Sequence, residues 1–546
     1  MVRRTIKAIT NKISSLHEAA FWLALFALFS QILALVRDRL LAHHFGAGVE
    51  LDIYYAAFKI PDLIFVTVAS IVSISAMVPL FAKKESEGEK HLKSATDSIF
   101  TVFSFFIIIS CLIAWLLMPY ILPYLFTGFS VGVIEKTISL SRILLLSPLL
   151  LGFSNFFGSI VQYQRRFILY AMSPLLYNIG IITFILYKVL KIGITAAVWG
   201  VVLGALFHFL LQAIFVFYSP LRPRFSFHIK WKDIKEVAML SIPRTLALSV
   251  VTFVGIIFAS FASKLGEGSI AVFNLGFNLQ SAPLSLIGVS FSLAAFPSLA
   301  ISVAKKDMTD VVFKISDGLR QIIFWSLPAT ALIIILRAHL VRVVLGSGNF
   351  DWSDTRLTAA VLAIFVISSV FQSIQLFLSR SYYALGKTSA PLLGNIAGGA
   401  LSVVLAFIFI KFYGFWASLI NYIAELLNVS HLSQNILVLP LAYSIGSLAT
   451  VFILYMALDT GLRTEIRKRV QGLLPHSFFS AIVMASVAYL VLNISDSIFN
   501  LDTFFGVLGH GTLAGISGIV AGAVVLYLLG NKEFKEIILK FRQLFV

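Results

Sequence analysis

A chain of 546 residues in which 59% are hydrophobic, 12% are charged and 50 are Phe has too little polar surface to close over a water-soluble core. Its mean hydropathy of +0.95 leaves a polytopic membrane protein with room for about fourteen spans of roughly 20 residues. The net charge of +17 falls in short connectors, so it reports orientation and anionic membrane lipids and excludes a nucleic-acid partner.

In chain order, residues 1–17 carry Arg3, Arg4, Lys7 and Lys12 on an amphipathic pattern, expected to lie on the cytoplasmic membrane surface. No small-residue cleavage site follows, which argues against a cleaved signal. Apolar runs then predict spans at 18–43, 53–82, 96–120, 134–162, 168–190, 194–218, 237–263, 269–303, 311–337, 354–384, 389–412, 437–458, 476–495 and 504–530. The connectors that a cytoplasm-first chain with an even number of spans places inside are basic: Lys83, Lys84, Lys90 and Lys93, then Arg165 and Arg166, Arg222 to Lys235, Lys305 and Lys306, and Arg463 to Arg469. The alternate connectors are poor in Lys and Arg, so both termini are expected in the cytoplasm. The segment 413–436 resembles an amphipathic helix at the outer interface.

The chain repeats itself. SPLLYNIG at 173–180 returns as APLLGNIAG at 390–398, with Pro174 and Pro391 separated by 391 − 174 = 217 and Asn178 and Asn395 by 395 − 178 = 217. GAG at 46–48 answers GEG at 266–268, and Pro79 answers Pro297, with offsets 266 − 46 = 220 and 297 − 79 = 218. Near-equal offsets mean a duplication, and six intervening spans give both copies one orientation. The expected fold is therefore all-α: two parallel-repeat six-helix lobes at 18–218 and 237–458, joined by a basic linker at 219–236. A basic loop at 459–475, two extra helices within 476–530 and a cytoplasmic tail at 531–546 complete it.

Charge is hardest to keep inside the spans, where a helix-centre Arg or Asp costs roughly 2.5–3.5 kcal/mol on insertion scales. Arg37, Asp38, Arg39, Asp52 and Lys59 stand within or beside the first two runs. Neighbours on a helix point about 100° apart, so Arg37 and Asp38 are expected to find separate partners. If Arg37, Lys59 and Arg142 face a cleft between the lobes, that cleft is cationic and its ligand anionic; Arg244 adds a further charge on the seventh span. For Arg142, near a span end, snorkelling or a lipid phosphate is an equal alternative, and Arg320 is expected to snorkel. Pro243 and Pro283 would kink helices or free backbone groups near the midplane. Enzymatic chemistry finds no support: there is no Walker A pattern, no metal-ligand spacing around His43 and His44, and no cluster of carboxylates at one mouth. No cofactor is expected, and the single cysteine, Cys111, forms no intrachain disulfide.

The stretch RDRLLAHHFGAGVELDIYYAAFKIPDL closely resembles the signature of the first two helices of the MurJ/MviN lipid II flippases, within the superfamily of drug and polysaccharide exporters. The resemblance continues through SRILLLSPLLLGFSNFFGSIVQYQRRF, SPLLYNIG, FNLGFNLQSAPLSLIGVSFSLAAFPSLA and SRSYYALGKTSAPLLGNI, covering both lobes. It implies a bacterial inner-membrane transporter that turns the undecaprenyl-pyrophosphate-linked peptidoglycan precursor, lipid II, to the outer leaflet by alternating access. A cationic cavity would take the pyrophosphate, and a groove beside the two extra helices the lipid tail. The resemblance carries Arg37, Asp38, Asp52 and Lys59 over as cavity residues, while Gln31 and Asn278 stand where many members have Arg. Arg244 is a candidate to replace that lost charge. Driving by a monovalent cation or the membrane potential, and a monomeric state, complete the expectation. The alternative is an exporter of another polyprenyl-linked glycan or of a small drug.

Overall fold

The computed structural model describes residues 16–429 and 434–544. The expected amphipathic segment 1–17 lies almost wholly outside them. All regular structure among the described residues is helical, and it falls into two compact units, Met1–Ile270 and Ala271–Val546.

In the first unit, α1 (Leu16–Phe45) is followed by α2 (Val49–Ala57), α3 (Lys59–Thr67), a 3-10 turn (Ala69–Val72) and α4 (Ile74–Ser86). Then come α5 (Glu89–Leu125), α6 (Val131–Leu144), α7 (Leu146–Tyr163), α8 (Phe167–Ile192), α9 (Ile194–Phe217) and α10 (Trp231–Ala262). The second unit takes up α11 (Ser269–Pro283), a π turn (Leu284–Val289), α12 (Ser290–Ala304), α13 (Met308–Leu345), α14 (Trp352–Ala384), α15 (Ser389–Lys411) and α16 (Tyr413–Leu426). It closes with a 3-10 turn (Gln434–Leu437), α17 (Val438–Met456), α18 (Thr460–Gln471), α19 (Leu474–Ser495), α20 (Phe504–Leu528) and α21 (Lys532–Leu544).

Twelve helices among the described residues are long and apolar enough to cross a bilayer, so the count of fourteen is approximate. The two expected spans missing from the twelve have physical reasons to differ. The run 53–82 is cut into pieces: Thr67 Oγ1 donates to the carbonyl of Leu63 at 2.6 Å and Ser70 Oγ to that of Val66 at 2.5 Å, and the helix tightens into the 3-10 turn there. Such hydroxyl back-bonding competes with the helical ladder. The run 237–263 is one unbroken helix, α10, passing Pro243, but only Leu248–Ala262 is apolar. Pro283 behaves otherwise, for α11 passes there directly into the π turn, as expected where a missing N–H releases the ladder.

Packing within each unit uses small residues. A Cβ on Gly180 of α8 would lie 2.5 Å from Gly204 Cα of α9, so the two helices touch backbone to backbone. In the second unit, a Cβ on Gly398 of α15 would lie 1.8 Å from Thr450 Oγ1 of α17, and one on Gly446 1.8 Å from Ser402 Oγ. The two repeated motifs thus each supply a glycine to a tight helix pair in their own unit. The helix α10, which opens the second sequence repeat, packs in the first unit against α3 and the 3-10 turn, with Ser241 Oγ donating to the carbonyl of Ile71 at 2.7 Å.

Candidate functional site

The charged stretch of α1 is where the first unit concentrates buried polarity. Arg37 and Asp38, expected to seek separate partners, pair with each other: Nε donates to Asp38 Oδ1 at 3.0 Å and Nη2 to the same oxygen at 2.8 Å. The 100° argument fails because it compares Cβ directions. The Arg stem is long enough to curl back around the helix until its fork meets a short neighbouring carboxylate. The third contact is Nη1 to Asn178 Oδ1 on α8 at 3.4 Å. Asn178 Nδ2 in turn donates to Ser30 Oγ at 3.2 Å and to the carbonyls of Pro174 and Ser30 at 3.2 and 3.4 Å, so the amide is oriented from both helices. Asp38 is 4% exposed, while the Arg37 side chain keeps 21%. A guanidinium has five N–H groups and three are used here, leaving two for another acceptor. Tyr54 and Tyr177 stand close enough to interact electrostatically with Arg37.

The other expected site residues separate into distinct settings. Lys59 is half-buried at the first position of α3, three residues before the exposed Asp62. Gln31 is half-buried on α1. Asp52 is 1% exposed and holds a loop junction: its Oδ2 accepts the Gly268 N–H at 2.6 Å. Gly268 has φ +79°, and a Cβ there would fall 1.8 Å from the Ala47 carbonyl oxygen. The repeated GAG and GEG loops therefore meet, fastened by Asp52. Arg142 is not brought to the Arg37 pair, because its guanidinium lies 4.3 Å over the Trp115 ring and Nε donates to the Trp115 carbonyl at 3.2 Å, beside the exposed Leu112 and Leu146. That is the snorkelled setting of an Arg on an apolar face. Arg244 lies on α10, with its side chain outside the described residues. Asn278 belongs to α11 in the second unit and is half-buried, with its carbonyl accepting from Ser281 Oγ.

Several partners escaped the sequence reading. Asn178 stands out in the sequence as a repeat position, and a lone amide in an apolar run is itself a signal for a polar partner. Lys136 Nζ meets both oxygens of Glu50 at 2.5 and 2.7 Å. Lys84, 7% exposed, reaches Glu87 at 2.9 Å and Asp233 at 3.0 Å, tying α4 to the start of α10. These bonds hold the Glu87 carboxyl below its ordinary range and raise the Lys84 ammonium, the latter through Glu87 first and Asp233 next. Arg320, expected to snorkel, instead forms an ion pair with the buried Glu533 of α21, and its Nη1 donates to the carbonyl of Arg469 at 2.7 Å.

No group of three or more His, Cys, Asp or Glu among the described residues is arranged to hold a metal ion.

Comparison with known proteins follows the same lines. A family profile described as "Lipid II flippase MurJ" matches residues 41–508. A probable lipid II flippase MurJ of Buchnera aphidicola subsp. Acyrthosiphon pisum is 29% identical over 384 residues, covering 68% of this chain and 74% of that protein. One from Aquifex aeolicus is 25% identical over 499 residues, 90% of this chain and 92% of its own length. Among solved structures, a lipid II flippase MurJ in an inward closed conformation superposes with a TM-score of 0.74 at 21% identity, covering 93% of this chain and 99% of that one. An inward-facing multidrug resistance MATE family transporter gives 0.66 at 14% identity, over 81% and 95% of the two chains. These two likenesses concern the fold.

Proposed function

The chain belongs to the lipid II flippase MurJ family, and from that premise we propose that it moves lipid II from the inner to the outer leaflet of a bacterial cytoplasmic membrane. It is a transporter and no covalent bond changes. The physical task is to carry a multiply charged pyrophosphate past a hydrocarbon core that would otherwise refuse it. The observation that carries the reading is the Arg37–Asp38–Asn178 cluster, seated on the family's first-helix signature. Asp38 and Asn178 aim the guanidinium and offset its burial, and the two N–H groups left over suit an oxyanion through charge-assisted bonds.

The wider reading has support of three kinds. Alternating access through a cationic cavity, with Arg37 and Lys59 among its lining residues and Arg244 and Asn278 as further candidates, fits the charge placed in these spans. Two lobes at 18–218 and 237–458 are supported by the repeat. Cytoplasmic termini are supported by the Lys and Arg bias of alternate connectors. With the empty carrier cationic, an inside-negative potential would favour its inward return, by about 2.3 kcal/mol per charge per 100 mV. Asp52 enters this proposal as the fastener of the loops and Arg142 as a membrane-facing anchor.

The test is flipping of lipid II by the purified chain in proteoliposomes. Wild-type protein is expected to expose lipid II to an external probe, and Arg37→Ala to abolish this while remaining folded. Equal flipping by both would remove Arg37 from the path.

A further inference from the structure

One end of the second unit gathers arginines around a small cavity. Arg337 near the end of α13 and Arg356 in the first turns of α14 line a cavity of about 280 Å³, together with Trp352, Asn428, Ala338 and Ala359. None of the ion pairs among the described residues includes either arginine. The hydrogen bond Arg337 makes there is from Nη1 to the carbonyl of Ile334, on its own helix, at 2.8 Å. Two cations lining one small space, Arg337 half-buried and Arg356 exposed, repel each other, and an anion placed between them relieves both.

The surroundings point to which anion. The Trp352 ring carries the Arg342 guanidinium 4.8 Å from its centroid, and Nη1 of Arg342 donates to the Phe350 carbonyl at 3.1 Å. Asn428 sits at φ +56° in the closing turn of α16, with its N–H bonded to the Glu425 carbonyl at 3.1 Å and that of Val429 to Ala424 at 2.9 Å. This is the paired bonding of a Schellman cap, which fixes the backbone of Asn428 at the cavity wall. The same helix exposes Phe415, Leu419, Tyr422 and Leu426, spaced so that they form one apolar stripe leading to the cavity. Guanidiniums and an amide for a phosphate, an indole of the kind found at bilayer surfaces, and a stripe for hydrocarbon therefore occur side by side.

We propose that this cavity binds the phosphodiester of an anionic membrane phospholipid, with Arg337 and Arg356 on the phosphate and the acyl chains along the exposed stripe of α16. The site is separate from the transport cluster of the first unit and does not depend on which substrate the chain carries. A free phosphate shares the headgroup chemistry but makes no use of the stripe.

The experiment is native mass spectrometry of the full-length, delipidated protein titrated with phosphatidylglycerol, phosphatidylcholine or inorganic phosphate. Wild-type protein is expected to retain phosphatidylglycerol most strongly, phosphatidylcholine less and inorganic phosphate least. The pair Arg337→Gln with Arg356→Gln is expected to weaken phosphatidylglycerol retention by roughly tenfold or more, as loss of charged hydrogen bonds implies. Leu419→Ser with Tyr422→Ser, two exposed positions that leave the fold undisturbed, is expected to weaken phosphatidylglycerol retention and leave inorganic phosphate unchanged. Equal retention of phosphatidylglycerol by wild type and both pairs, or retention of inorganic phosphate as strong as that of the lipid, would overturn the proposal.

Discussion

Replacing Arg37 by Ala separates what the guanidinium does for the fold from what it does for transport. The substitution removes both bonds to Asp38 Oδ1, at 3.0 and 2.8 Å, and the 3.4 Å contact to Asn178. It leaves a carboxylate that is 4% exposed without its guanidinium. Breaking a buried pair from one side costs about 3–5 kcal/mol. The Arg37 side chain is 21% exposed, and solvent screening brings the cost here below that range, to about 2–3 kcal/mol. Asp38→Asn in the same chain removes the buried charge while keeping an amide of the same shape, and should recover about 1–2 kcal/mol of that loss. Thermal unfolding in detergent measures the stability of wild type, single and double variants, and proteoliposome flipping measures transport. The double variant is expected to regain much of the melting temperature and none of the transport. Recovery of both would refute the reasoning, because Arg37 would then be needed only to neutralise Asp38.

Gly268→Ala should destabilise the first unit by more than about 1–3 kcal/mol, since its Cβ would strike the Ala47 carbonyl at 1.8 Å in a φ +79° conformation; reduced yield and melting temperature check it. Glu533→Gln should loosen α21 from Arg320, seen as faster hydrogen exchange across 532–544 with exchange in α8 and α9 unchanged. The Lys84 clamp should give a pH profile with two limbs. Glu87, held low, contributes stability above the ordinary carboxylate range and loses it as pH falls through its lowered value; Lys84, held high, contributes below the ordinary lysine value and loses it as pH rises through its raised one. Melting temperature against pH should lose part of both limbs in Lys84→Met, and an unchanged profile would contradict the clamp.

Twelve of the expected spans coincide with long apolar helices to within a few residues at most ends, because a bilayer imposes length and composition on a helix and both can be read locally. The second span was harder. Its Thr67 and Ser70 hydroxyls bend the ladder through contacts that a hydropathy window averages away. The Arg37–Asp38 pair was misjudged by using helix geometry at Cβ, where side-chain length decides. Asn178 on Arg37 and Gly268 on Asp52 join residues 141 and 216 positions apart, and only the folded chain brings them together. The repeat did foreshadow one of these meetings, since the loops it matched, GAG and GEG, are the loops that touch.

The central claim is tested most directly by expressing the chain in a bacterium whose own lipid II flippase can be switched off, and measuring growth together with lipid II in the outer leaflet. The account predicts rescue of both by the wild-type chain and loss of both with Arg37→Ala, at equal amounts of folded protein in the membrane. Folded, membrane-inserted wild-type protein that restores neither would contradict it.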